Sequence, residues 1–198
     1  MVERVVAALL VPVTWSPPGV ALDKWRAALA EDLVDLLVRL SAAAPAIACV
    51  PADRELADEI AWPGMRVWEV PTATIRPVFE AANADGFDQA AIVAADAPDV
   101  PGMVLGKLLQ PLDAKTLAVA PGGPGGGALG VAARLPLAPW VADVGLDEAT
   151  AQMLRRGAPE ASEVTTTAAW RRVRGAQELS TFDMGLEGWE NTRAVLGG

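Results

Sequence analysis

The chain has 198 residues, a formal net charge of −9, no His, no Tyr and a single Cys. Without His there is no Ser-His-Asp or Cys-His catalysis and no His-built zinc site, and one Cys excludes an internal disulfide and a thiolate metal cage, so acid–base or metal chemistry falls to carboxylates, Lys and Arg. The acidic balance argues against nucleic-acid or anionic-membrane binding by bulk electrostatics, and although 52% of residues are hydrophobic, no run reaches the roughly 18 apolar residues of a membrane span.

Residues 1–198 suit one domain with a sizeable core, the segment 180–198 forming a C-terminal tail. The first residues carry Glu3 beside Arg4, so they lack the positive start of a leader. Their apolar run is strand-sized and predicts a first strand over 3–13 in a cytoplasmic protein. Thr14 to Gly19 (Thr-Trp-Ser-Pro-Pro-Gly) is a loop, because neither sheet nor helix continues through its prolines. Asp23 is an N-cap candidate for a helix over 24–40, where Trp25, Leu29, Leu33, Leu36, Leu37 and Leu40 recur at helical spacing. Residues 46–50 make a second strand, with Cys49 as a small buried hydrophobe. A short helix at 53–60 and a third strand at 65–70 follow. The next helix, 74–84, tolerates Pro77 in its first turn and meets Gly86 just past its end.

The stretch Gln89 to Asp99, Gln-Ala-Ala-Ile-Val-Ala-Ala-Asp-Ala-Pro-Asp, organises the rest. An unbroken small and apolar run from Ala90 to Ala95 fits a strand buried on both faces of a parallel sheet. It stops on Asp96, Pro98 and Asp99, and open α/β sheets place ligand chemistry at the carboxyl ends of their strands. Asp96 and Asp99 are therefore the candidate catalytic residues. The plainer alternative is that they make a turn and cap the following helix. Beyond them the pattern gives a helix at 101–109, a strand at 116–120, a glycine loop from Pro121 to Gly127 and a strand at 128–133. A helix at 147–156, a strand at 163–168 and a helical turn at 176–179 complete it, with Trp189 and Val195 as tail anchors. Strands alternating with helices predict a three-layer α/β/α sandwich on a mostly parallel, mixed sheet.

Three loops are expected at one edge of that sheet: 12–24, 96–99 and 121–127. Lys24 is the nearby cation suited to a phosphate, the alternative being a Lys merely solvated at a helix start, and Gly125 and Gly126 would let backbone approach a ligand closely unless the loop is a plain hairpin connection. No Gly-x-Gly-x-x-Gly and no P-loop is present.

The order of elements, with Ala95-Asp96-Ala97-Pro98-Asp99 after the fourth strand, resembles the nucleotide-diphospho-sugar transferase (GT-A type) fold. More closely it resembles small bacterial glycosyltransferase-like proteins grouped with the molybdenum-cofactor and phospholactate guanylyltransferases, which carry Ser-Asp-Cys-Pro-Asp-Leu at this place. The resemblance runs from about Val5 to Leu179 and implies a nucleotide or nucleotide-sugar ligand over the sheet edge. The departures are as informative. The family's basic first loop is here Pro18-Gly19-Val20-Ala21-Leu22-Asp23-Lys24-Trp25, keeping Lys24 alone. Its Pro-Ala-Glu-Asp-Gly-Gly-Tyr loop is here Pro121-Gly122-Gly123-Pro124-Gly125-Gly126-Gly127, without the acids. Its Asp-Val-Asp stretch, whose acids complete a divalent metal site, is here Arg172-Val173-Arg174.

Mg²⁺ and Mn²⁺ want several oxygen ligands. Asp96 facing Arg172 or Arg174 would be neutralised, so a metal is disfavoured as a cofactor and no other cofactor is indicated. A guanidinium fork can instead bind phosphate oxygens directly, which makes Arg172 and Arg174 ligand-binding candidates; the alternative is an Asp–Arg pair that only ties the last strand to the sheet. Two functions stay open. One is a glycosyl- or nucleotidyltransferase in which Asp96 and Asp99 orient the ligand and Arg172 and Arg174 steady its leaving phosphate. The other is a catalytically inactive relative serving as a binding or assembly subunit; a homodimer is open under either.

Overall fold

The computed structural model describes residues 2–123, 126–183, 185 and 187–197. Its strands are β1 (Arg4–Leu9), β2 (Ala44–Cys49), β3 (Arg66–Glu69), β4 (Gln89–Ala94), β5 (Leu117–Pro121), β6 (Ala128–Arg134) and β7 (Val164–Thr166). Its helices are α1 (Leu22–Val38), α2 (Arg54–Ile60), α3 (Ile75–Ala84), α4 (Gly102–Leu109), α5 (Ala151–Gly157), α6 (Ala176–Leu179) and α7 (Glu190–Val195). The strands form one seven-stranded sheet in the order β3-β2-β1-β4-β6-β5-β7. β6 alone runs antiparallel to its neighbours, β4 and β5.

The period-2 alternation of a strand divides the core in two. In β1, Val5, Ala7 and Leu9 face α3 and α5, among Ile75, Val78, Phe79 and Leu154. Val6 and Ala8 face the other way, among Leu33, Val34 and Leu37 of α1, Ala57 of α2 and Leu105 of α4. β4 does the same, with Ile92 on the first side and Val93 on the second, and all six of its residues are buried. A strand without polar alternation is what a sheet covered on both faces requires. The result is the expected α/β/α sandwich.

A third, smaller cluster joins Trp25, Leu29 and Val173 to Trp15, Val20, Leu179, Phe182, Val195 and Leu196, so the tail packs on α1 and on the first loop. Asp32, 1% exposed on α1, accepts from the backbone N–H groups of Asn191 and Thr192 at 2.9 and 2.8 Å and so starts α7. The helix at α1 begins earlier than Asp23 suggests. Its N-cap is Ala21, left extended by the preceding turn, and Asp23 bonds only the N–H of Lys24. Among the described residues no helix is long and apolar enough to cross a membrane.

Candidate functional site

β1 and β4 pair in parallel and end together, with the N–H of Ala95 donating to Leu9 O at 3.0 Å. The loops after them, 10–21 and 95–101, therefore leave the core side by side. The antiparallel β6 starts at this same edge, so the glycine loop between β5 and β6 lies there too. After β7 the chain stays extended. Thr167 N donates to Val119 O, Trp170 N to Pro121 O, and Val173 N to Asp96 O at 2.7 Å. That crossing, from the end of β5 to the end of β4, carries Arg171, Arg172 and Arg174 over the edge.

Asp96 and Arg172 meet there as a buried fork. Arg172 Nε donates to Asp96 Oδ1 at 2.6 Å and Nη2 to Oδ2 at 2.8 Å, and the two side chains are 1% and 4% exposed. Nη1 turns the other way, to Asp147 Oδ1 at 2.6 Å and to the carbonyl of Ala128 at 3.3 Å. Burial opposes the guanidinium charge, but Asp96 and Asp147 outweigh it and hold the group above its ordinary pKa. Arg174 reaches Asp147 rather than Asp96, its Nη2 lying 2.7 Å from Oδ1, and its Nη1 donates to the carbonyl of Gly126 at 3.4 Å.

Asp99 belongs to a neighbouring arrangement. Trp170 Nε1 donates to its Oδ1 at 3.1 Å, Arg171 Nη2 donates to its Oδ2, and the Arg171 guanidinium lies over the rings of Trp170 and Phe182 at 4.8 and 5.1 Å. Burial pushes the Asp99 carboxyl above the usual range despite these donors. The Asp99 side chain is 2% exposed and that of Arg171 is 21% exposed. Neither aspartate caps α4, whose N-cap is Pro101.

A cleft of about 160 Å³ opens between the first loop and the arginine segment, lined by Pro12, Val13, Thr14, Trp15, Asp96, Asp147, Arg172, Val173 and Arg174. It thus brings together Asp96, Arg172 and Arg174, with Gly126 at the edge. Asp99 is not among its lining residues. Lys24 is placed elsewhere, in a groove between α1 and α2 with Asp23, Arg26, Asp53 and Glu59. Gly125 lies outside the described residues.

Asp147, Arg171 and Trp170 were not foreseen as site residues. Asp147 was hidden because the sequence suggests a helix from that position, whereas α5 begins after Thr150, whose hydroxyl accepts from Met153 N at 3.1 Å. Thr150 as the N-cap leaves 145–149 as a loop. The close packing of the glycine loop also escapes a composition argument. Gly127 has φ +70°, and a Cβ on it would lie 2.6 Å from the carbonyls of both Leu146 and Asp147.

Chemically, three carboxylates face three guanidinium groups across a few ångströms. Such an edge is locally neutral, and its exposed donors are guanidinium N–H groups suited to planar or tetrahedral oxyanions.

No family model matches the chain, and no curated protein sequence matches it. Solved structures do. The chain superposes with TM-score 0.68 and 21% identity on a protein from Desulfovibrio desulfuricans G20 assigned provisionally as a nucleotide-diphospho-sugar transferase, covering 100% of this chain and 95% of that one. A nucleotidyl transferase from Methanothermobacter gives 0.60 at 17% identity, covering 91% and 94%. A cytidylyltransferase from Leptospira borgpetersenii gives 0.59 at 9% identity, covering 99% and 93%. At these identities the likeness is one of architecture, and the chain has the fold of the nucleotide-diphospho-sugar transferases and nucleotidyltransferases.

Proposed function

We propose that the chain binds a nucleotide or nucleotide-sugar at the carboxyl edge of β1 and β4, with guanidinium groups holding the phosphates. The observation that carries this reading is the pair of arginines, Arg172 and Arg174, lining a cleft beneath the first loop. The solved neighbours with this fold are described as transferases of nucleotides and nucleotide-sugars, which supports the ligand class. Among the described residues, the N–H groups of Val13, Thr14 and Trp15 in that loop make no intramolecular hydrogen bond, and they add donors beside the cleft.

The residues present do not fit a divalent cation. Both oxygens of Asp96 accept from Arg172, and Oδ1 of Asp147 accepts from two guanidiniums. A dication at Asp96 would have to expel the buried Arg172 guanidinium from both carboxylate oxygens, so the site works without metal. Arg172 and Arg174 would carry the charge neutralisation that a dication supplies elsewhere.

One observation favours the second function, a binding or assembly subunit without catalysis. Asp96 and Asp99 are both spent on internal ion pairs, which leaves neither free to take a proton from an acceptor. Calorimetric titration with GDP, UDP and GTP tests the ligand reading. Binding of at least one of them, weakened about tenfold or more by Arg174→Glu, is expected. No heat with any of the three leaves the assembly role.

A further inference from the structure

Asp147 places one carboxylate oxygen between two arginines. Its Oδ1 accepts from Arg172 Nη1 at 2.6 Å and from Arg174 Nη2 at 2.7 Å. One oxygen bridging two guanidinium forks is the contact a phosphoryl oxygen makes between paired arginines. The two arginines differ in burial. Arg172 is 1% exposed and pinned to Asp96 through its other nitrogens, so its Nη1 is a fixed donor. Arg174 is 29% exposed at its side chain.

The freedom of Asp147 lies in its side chain alone. That side chain is 62% exposed. Its backbone is held: Ala128 N donates to Leu146 O at 2.7 Å, Gly127 packs directly under the Leu146 and Asp147 carbonyls, and Glu148 N closes a turn on Gly145 O. Rotation about its own χ angles is enough to move the carboxylate from the cleft into water without disturbing a strand or helix.

We infer that Asp147 is a displaceable internal anion: it occupies a two-arginine phosphoryl seat in the free chain and swings out when a ligand phosphate enters. This rests on the phosphoryl-binding reading above. Two consequences follow. The ligand has to replace the charge that leaves, so dianionic phosphoryl groups are admitted and uncharged sugars are not. Affinity is also set lower than the seat itself allows, because only the fraction of chains with Asp147 swung out is competent to bind.

Metal-free titration of pyrophosphate, GDP and UDP into the wild-type chain, Asp147→Asn and Asp147→Ser tests this, with the melting temperature of each unliganded variant as the check on folding. Both variants are expected to bind pyrophosphate about tenfold or more tightly than wild type, the gain from removing one exposed ion-pair competitor and one repelling charge. An equal gain for the nucleotides assigns the seat to the phosphoryl group they share, and a gain for pyrophosphate alone assigns it to free phosphate. Affinity unchanged or weaker in the folded variants overturns the displaceable anion while leaving the phosphoryl site standing. No binding by wild type or by either variant overturns the phosphoryl reading itself. The wild-type chain gives an independent readout. The carboxyl ¹³C resonance of Asp147 should shift when pyrophosphate saturates the protein, and a resonance that stays put under saturation contradicts the displacement.

Discussion

At Asp96 the carboxylate is 4% exposed and receives two charge-assisted hydrogen bonds from one guanidinium, so neither charge meets bulk water. A buried pair of this kind adds little stability over a well-packed apolar pair, yet removing one partner strands the other. Asp96→Asn and Arg172→Met are each expected to cost about 3–5 kcal/mol, which for a chain of this length is a drop in melting temperature of roughly 10 °C. Replacing both together with apolar residues should recover much of that loss. A double-mutant cycle followed by urea unfolding measures the coupling, and additive losses would show that the pair does not act as one unit. The positions of Asp96 and Arg172 were readable in the chain from an abrupt end to an apolar strand and from a departure at a resembling motif. Asp147 was not, because its role depends on the place a loop takes in space.

Among the elements, α7 and the glycine loop show what short-range patterns miss. α7 is six residues long, too short to be stable alone, and it exists because Asp32 on α1 satisfies its first N–H groups. No local signal in 180–198 announces a partner so far away in sequence. Asp32→Ala is expected to leave two amides without an acceptor, costing about 1–3 kcal/mol. Hydrogen exchange should then show residues 189–197 losing protection ahead of the sheet, and uniform protection would argue against a locally anchored tail. The antiparallel direction of β6 was equally hidden, since a run of small apolar residues buried on both faces reads the same whichever way it points. That reversal brings the glycine loop to the site. Gly127→Ala forces a side chain into a positive φ and onto the carbonyls of Leu146 and Asp147, with an expected cost of about 1–3 kcal/mol. It should also loosen Asp147, seen as altered pyrophosphate affinity in the same preparation.

For the molecule as a whole, the alternation of strands and helices made the α/β/α layering legible, because each strand had to be covered on both faces and the helices were there to do it. The pH response is a property at this scale. Glu31, Asp32 and Asp99 are each pushed above the ordinary carboxylate value, burial being the largest cause in every case. A carboxyl with a raised folded pKa binds its proton more readily folded than unfolded. Its stabilising contribution is therefore complete below the ordinary value and is lost as pH rises through the folded one. Asp58, lowered by its hydrogen bond to Arg54, and Glu190, lowered by a backbone hydrogen bond from Gly188, work in the opposite sense, but both are exposed and well screened. The urea midpoint is accordingly expected to be at least as high near pH 5 as near pH 8, and a marked fall toward pH 5 would contradict this.

The claim on which the rest depends is that fixed guanidinium groups at the sheet edge take the place of a dication. The direct measurement is calorimetric titration of whichever of GDP, UDP and GTP binds best, first in EDTA and then in saturating Mn²⁺. The arginine site predicts a Kd that is unchanged or weakened by Mn²⁺, since the metal neutralises the phosphate charge the arginines bind. Binding that appears only with Mn²⁺, or that tightens about tenfold or more, would contradict it.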